Sequence, residues 1–161
     1  MKAVAAVFAA DLALGRLRPH LARVALLDET AHVLTTALLL LPFVSPRFRA
    51  GALAGSVAID ADHLPRVLGW RGLTRRVGRP YGHAPIVLAA LTGAVGFAPR
   101  RARPVLLGAA AGTAVHLWRD LATGPGIPAL WPLTKRSARI PYAVYAGSLV
   151  AAALSPWRRP T

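Results

Sequence analysis

The sequence predicts an all-α protein. The expected architecture is a polytopic membrane helix bundle with about five transmembrane or membrane-embedded helices plus a short N-terminal helix. Three observations carry this expectation. Hydrophobic residues make up 55% of the 161 residues and charged residues only 16%, where an average globular chain has roughly 25% charged. The mean hydropathy is +0.45. Apolar stretches recur along the chain, each flanked by Arg and Pro, as in a small polytopic membrane protein. The length suits one compact domain, so residues 1–161 are expected to form a single integral-membrane helical domain.

The elements follow in order. Met1 and Lys2 precede apolar Ala3 to Ala10, and Asp11 interrupts the run. This is too short and too early broken for a strong signal peptide, and favours a short or interfacial first helix. Apolar segments then predict helices at residues 24–45, 50–64, 83–98, 103–121 and 140–155. Pro42, Pro46, Pro65, Pro99, Pro104, Pro132, Pro141 and Pro156 stand at or near their ends, where proline is tolerated or stops a helix. Gly51-x-x-x-Gly55 and Gly108-x-x-x-Gly112 are small-residue spacings that let helices approach closely.

The net charge is +14. Its Arg residues lie in short connections between apolar runs, where snorkelling and anionic lipid headgroups account for them. Aromatic residues do not interleave with basic runs, which argues against nucleic acid as a partner. Trp70, Trp118, Trp131, Trp157, Tyr81, Tyr142 and Tyr145 fall mostly near segment ends, as interface anchors do. Membrane lipids are therefore the expected partners. With no cysteine, disulfides, thiolate metal sites and Cys nucleophiles are excluded.

Function is suggested by where the acids lie. Every acid except Asp11 and every histidine except His20 falls in one of four places: Asp28-Glu29-x-x-His32, Asp60-x-Asp62-His63, His83, and His116-x-x-x-Asp120. Carboxylate plus imidazole is a ligand set for zinc, manganese or iron. An acid in an apolar segment is costly without a partner. Asp28 or Glu29 with His32, Asp60 with His63, and His116 with Asp120 are three or four apart and share a helix face. Asp62 turns inward only if the helix ends or unwinds near Ala61.

Alternating helix directions bring all four clusters to one face of the bundle. The segment 24–45 begins on that face and 50–64 ends there. His83 starts the next helix on the same face, and 103–121 returns to it. Ligand pairs delivered by facing helices are how bundle metal sites are assembled. Plainer explanations exist for each part. His116 and Asp120 alone suit a structural hydrogen-bonded pair, and Asp28 and Glu29 alone suit the positive end of a helix dipole. His20 suits an interfacial role and Asp11 a cap or a solvent-facing position.

The motifs resemble a family. The residues are Ala31-His32, Gly55-Ser56-Val57-Ala58-Ile59-Asp60-Ala61-Asp62-His63, Arg79-Pro80-Tyr81-Gly82-His83-Ala84, and His116-Leu117-Trp118-Arg119-Asp120 continuing to Pro128 and Trp131-Pro132-Leu133. Together they are similar to the membrane-bound metal-dependent hydrolases of the DUF457 group, bacterial inner-membrane proteins. The resemblance covers about residues 28–135 and implies that His32, Asp60, His83, His116 and Asp120 are metal ligands. Asp62 and His63 would be ligands or would support them. Gly78 stands where the family has a histidine, and Gly82 and Ala84 replace hydroxyl residues.

The expected activity is metal-assisted hydrolysis of a phosphoester or lipid-related ester, with a divalent metal as cofactor: zinc first, then manganese or iron. Glu29, Asp62 or Asp28 would accept the proton. Arg79 and Arg119 would hold an anionic group of a small-molecule or lipid substrate. The alternative is a non-catalytic membrane protein whose polar or metal cluster is structural or binds a partner. A third reading is a proton or ion pathway. The side with more Lys and Arg also carries the site, which places the site on the cytoplasmic side of an inner membrane.

Overall fold

A computed structural model describes residues 2–16, 21–40, 45–63 and 81–155. Among these residues the protein is all-α: α1 (Lys2–Arg16), α2 (Leu21–Leu40), α3 (Pro46–Ala58), α4 (Pro85–Phe97), α5 (Arg103–Ala122) and α6 (Tyr142–Leu154). Two 3₁₀ segments, Ile59–His63 and Tyr81–His83, join the helical layers. The only β-type pairing described is an isolated antiparallel bridge between Ile127 and Ala138.

Local chemistry sets several boundaries. Pro46 opens α3, and the Ser45 side chain caps it by accepting from the Phe48 N–H at 3.4 Å. The helix therefore starts earlier than the apolar run suggested. Pro85 and Pro104 stand in the first turns of α4 and α5. There the missing N–H costs nothing.

The bundle is organised around α3 and α5. Gly51 and Gly55 of α3 lie against Val105 and Ala109, and Gly108 and Gly112 of α5 lie against Phe48 and Ala52. A Cβ on any of these glycines would run into the facing backbone. Both small-residue spacings thus belong to one contact, and each supplies the groove for the other. Two further bonds tie the pair. The Thr113 hydroxyl donates to the Gly55 carbonyl at 3.1 Å, and His116 Nδ1 to the Ser56 carbonyl at 2.6 Å. Both carbonyls belong to the last turn of α3, where a helix leaves its C=O groups without intrahelical partners.

A core of Val4, Val7, Leu38, Ala122, Tyr145 and Leu149 packs α1 and α6 against α2 and α5. Tyr145 is fully buried and shares a 2.8 Å hydrogen bond with Thr35. Trp118 donates to Ser148 at 3.1 Å. These two aromatics therefore link helices, which corrects the expectation that they anchor at an interface. A smaller cluster of Ile59, Leu117 and Ile127 lies under the site.

Among the described residues no helix is long and apolar enough to cross a membrane, which corrects the expected count of transmembrane helices. The reason is physical. α2 and α5 each have 20 residues, which is about 30 Å of rise. But α2 carries Arg23, Asp28 and Glu29, and α5 carries Arg103, Arg119 and Asp120. The other helices have 13 to 15 residues. That is roughly 20 Å against a hydrocarbon core of about 30 Å. α4 is apolar almost throughout and yet has no buried residue.

Candidate metal centre

The last turn of α3 decides the site. After Ala58 the backbone tightens into the 3₁₀ segment Ile59–His63. With three residues per turn, Asp60 and His63 eclipse, and Asp62 stands about a third of a turn away, closer than in an α-helix. Asp60, Asp62 and His63 therefore all face the turn that carries His83. His83 Nδ1 lies 3.0 Å from Asp62 Oδ2 and its Nε2 lies 2.9 Å from Asp60 Oδ1. His63 Nε2 is 3.3 Å from Asp60 Oδ1. A Cβ on Gly82 would collide with the Asp62 carboxylate. The glycine that departs from the family motif is what allows Asp62 to reach His83.

α5 contributes His116 and Asp120, and α2 contributes His32. His116 Nε2 lies 3.1 Å from Asp120 Oδ2 and 3.8 Å from Asp60 Oδ2. His83 Nε2 lies 3.5 Å from Asp120 Oδ2. The His32 and His116 rings stack face to face, centroids 3.5 Å apart and 3° from parallel. His32, His83, His116 and Asp120 are all 0% exposed. The more exposed side chains of the cluster belong to the 3₁₀ segment, where Asp60, Asp62 and His63 are 16%, 22% and 36% exposed.

The donor set fits a divalent cation. The groups Asp60–Asp62–His63–His83, His32–Asp60–His116 and His83–His116–Asp120 each gather ligand atoms within 4.8 Å of one another. His116 supplies the sharper test. Its Nδ1 gives its proton to the Ser56 carbonyl, which directs Nε2 towards Asp60 and Asp120. That nitrogen is buried and has no hydrogen-bond partner. Among carboxylate oxygens that nitrogen either carries a proton or faces a cation lying between them. Imidazole fixed by a backbone carbonyl is also the usual preparation of a metal-binding histidine.

Without a metal the cluster balances its own charges. Burial opposes ionisation of Asp60, yet hydrogen bonds with His63, His83 and Glu29 and the charge of His116 hold its carboxyl well below the usual range. Burial also pushes the His83 imidazole down, but hydrogen bonds to Asp60 and Asp62 outweigh it and raise the group to about 9. At neutral pH His83 is thus a cation between two carboxylates.

Glu29 hydrogen-bonds with Asp60, and its other oxygen, Oε2, is buried without a hydrogen-bond partner. Asp28 is committed elsewhere, since its Oδ1 accepts from Arg119 Nη1 at 2.6 Å. Arg119, expected to hold a substrate anion, is 1% exposed and ion-paired with Asp28 and Asp11. Its guanidinium is turned inward, and Nη1 also donates to His32 Nε2 at 2.9 Å. A buried guanidinium requires such counter-charges, and these leave it no face for an external anion.

Asp11 was the residue that sequence reasoning missed. It was expected to cap or face solvent, but it bridges Arg119 and the Tyr142 hydroxyl. The available signal was the cost of an acid inside an apolar helix. Arg79 and His20 lie outside the described residues.

The family model described as YdjM inner membrane protein matches residues 27–159. The match runs from α2 through α6 and takes in every candidate ligand, while α1 precedes it. It is the same family as the one whose motifs the sequence resembles. No curated protein and no solved structure matches the chain. With five of the six helices and the whole His/Asp cluster inside the match, the chain belongs to the YdjM inner membrane protein family.

Proposed function

We propose that this protein is a membrane-embedded metal-dependent hydrolase acting on a phosphoester or lipid-related ester. The observation that carries the metal reading is His116 Nε2, buried without a hydrogen-bond partner and directed at Asp60 and Asp120. His116, Asp60 and Asp120 would hold the ion, zinc before manganese or iron, joined by His83 once it releases its Nε2 proton. His32, whose Nε2 takes a hydrogen bond from Arg119, would orient His116 instead of ligating. A divalent ion there supplies Lewis acidity and acidifies water. Glu29 would be the proton acceptor once a bound cation displaces the proton it shares with Asp60, because Asp28 is neutralised by Arg119 and Asp62 is held by His83. Asp62 orients His83, and substrate approaches from the side of Asp62 and His63. Arg79, close in sequence to the His83 turn, would hold the anionic group.

Embedding in lipid is supported by the apolar surface. α4 buries none of its residues, and Ile86, Val105, Leu107, Val144 and Leu154 are 39% to 67% exposed. In water such a surface invites association, whereas in lipid it is the expected outside. The site would face the cytoplasm by the distribution of Lys and Arg. Reporter fusions within residues 66–82 test that, and a periplasmic signal would reverse it.

A structural or partner-binding cluster is the second reading. Its support is that four site residues are fully buried, as suits a structural metal. One experiment separates the two. Purify the protein in detergent and assay phosphomonoester, phosphodiester and lipid hydrolysis with and without chelator. Metal-dependent turnover lost in Glu29→Gln supports the hydrolase. No turnover, with a large loss of thermal stability on chelation, supports the structural cluster.

A further inference from the structure

We propose that Asp11 is a positioning residue of the metal centre and that α1, outside the family-matched region, is a working part of the site. This rests on the reading that the His/Asp cluster holds a metal. The path is continuous and short. Asp11 Oδ1 accepts from Arg119 Nη2 at 2.6 Å and from Nε at 3.1 Å. Its other oxygen accepts from Tyr142 at 2.7 Å. The side chain is 8% exposed, against 30% for Asp28. Asp11 thus grips one edge of the guanidinium and Tyr142 fixes Asp11.

That grip aims the opposite edge. Arg119 Nη1 points at His32 Nε2, 2.9 Å away. His32 then presents one tautomer, with its Nε2 lone pair on the guanidinium and the proton on Nδ1. Its ring lies flat against His116, and its Nε2 lies 3.3 Å from Asp120 Oδ1. Asp28 alone would balance the charge of Arg119, but it touches only the Nη1 side. Without Asp11 the Nε–Nη2 edge loses its carboxylate, and the orientation of the guanidinium rests on Asp28 and His32 at Nη1. The partners that orient a metal ligand contribute to affinity without touching the ion. Asp11 does this through Arg119, His32 and the ring stack.

The test uses full-length protein in detergent and zinc alone as the probe. Measure zinc affinity by competition with a chromophoric chelator in wild type, Asp11→Asn and Tyr142→Phe. In the metal-free proteins, record the ¹⁵N resonances of His32. Asp11→Asn is expected to weaken zinc roughly tenfold at unchanged stoichiometry and to replace the single Nδ1–H tautomer of His32 by a mixture. Tyr142→Phe is expected to move both in the same direction by about twofold. A folded Asp11→Asn protein with wild-type zinc affinity and an unchanged His32 tautomer overturns the proposal. If Asp11→Asn does not fold, Tyr142→Phe decides by the same two readouts. Wild type that binds no zinc refutes the metal reading, and the His32 tautomer then decides separately whether Asp11 controls the site.

Discussion

His32 of α2 and His116 of α5 stack with their ring planes 3° apart and their centroids at 3.5 Å. Two imidazolium ions would repel at that distance, so at most one ring carries charge. Arg119 donates to His32 Nε2, and the Ser56 carbonyl takes the His116 Nδ1 proton. The arrangement leaves His116 Nε2 buried and facing Asp60 and Asp120. These groups could hold a cation, and the contacts behind them reach from α1 to the end of α3.

The turn at His83 depends on the absence of a side chain at position 82. Gly82→Ala puts a Cβ where the Asp62 carboxylate lies. Asp62 must then rotate off His83 Nδ1. Thermal unfolding should show a loss of about 1–3 kcal/mol, and zinc affinity should fall. Gly82→Thr, which restores the family's residue type, should do no better. Unchanged stability and affinity in both variants would show that Asp62 does not orient His83.

The α3–α5 contact sets the distance between Asp60 and His116. In Gly112→Ala the new methyl meets the Ala52 backbone, which cannot step aside. This should cost at least about 2 kcal/mol. Gly93→Ala is the control, since α4 has nothing within 4 Å of that position. There the change should be neutral or stabilising by up to about 1 kcal/mol. Chemical denaturation in detergent reads both. Equal effects at the two sites would contradict the packing described.

The metal-free protein should become less stable in alkali. His83 is raised from 6.5 to about 9 by Asp60 and Asp62, against burial. Between those values the folded state holds a proton that the unfolded state has released. Its stabilisation is therefore complete below about pH 6.5 and lost as pH rises through about 9. Melting temperatures of chelated protein from pH 6 to 10 should fall across that window. His83→Gln should flatten the fall, and an unchanged slope in that variant would assign the effect to another group.

Much of the site was legible because helical spacing and alternating helix direction are strong constraints. They bring His32, Asp60, His83 and His116 to one end of the bundle without any knowledge of side-chain packing. Asp62 was conditionally legible: it turns inward only where the α-helix tightens, and the 3₁₀ segment begins at Ile59. The rest depended on long-range pairing. Nothing near Asp11 in sequence points to Arg119, 108 positions away. Arg119 was assigned to an external anion because its two counter-ions come from α1 and α2. The helix count was legible, but the spans were not, because hydropathy alone did not register how the charges on α2 and α5 interrupt the two longest helices.

Metal content tests the central claim most directly. Purify wild type, His116→Ala and Asp60→Ala from cells grown with ordinary trace metals, and determine bound metals by elemental analysis. The account predicts stoichiometric divalent metal in wild type and its loss in both variants, each still folded. Wild-type protein without metal, or variants that retain it in full, would contradict the account.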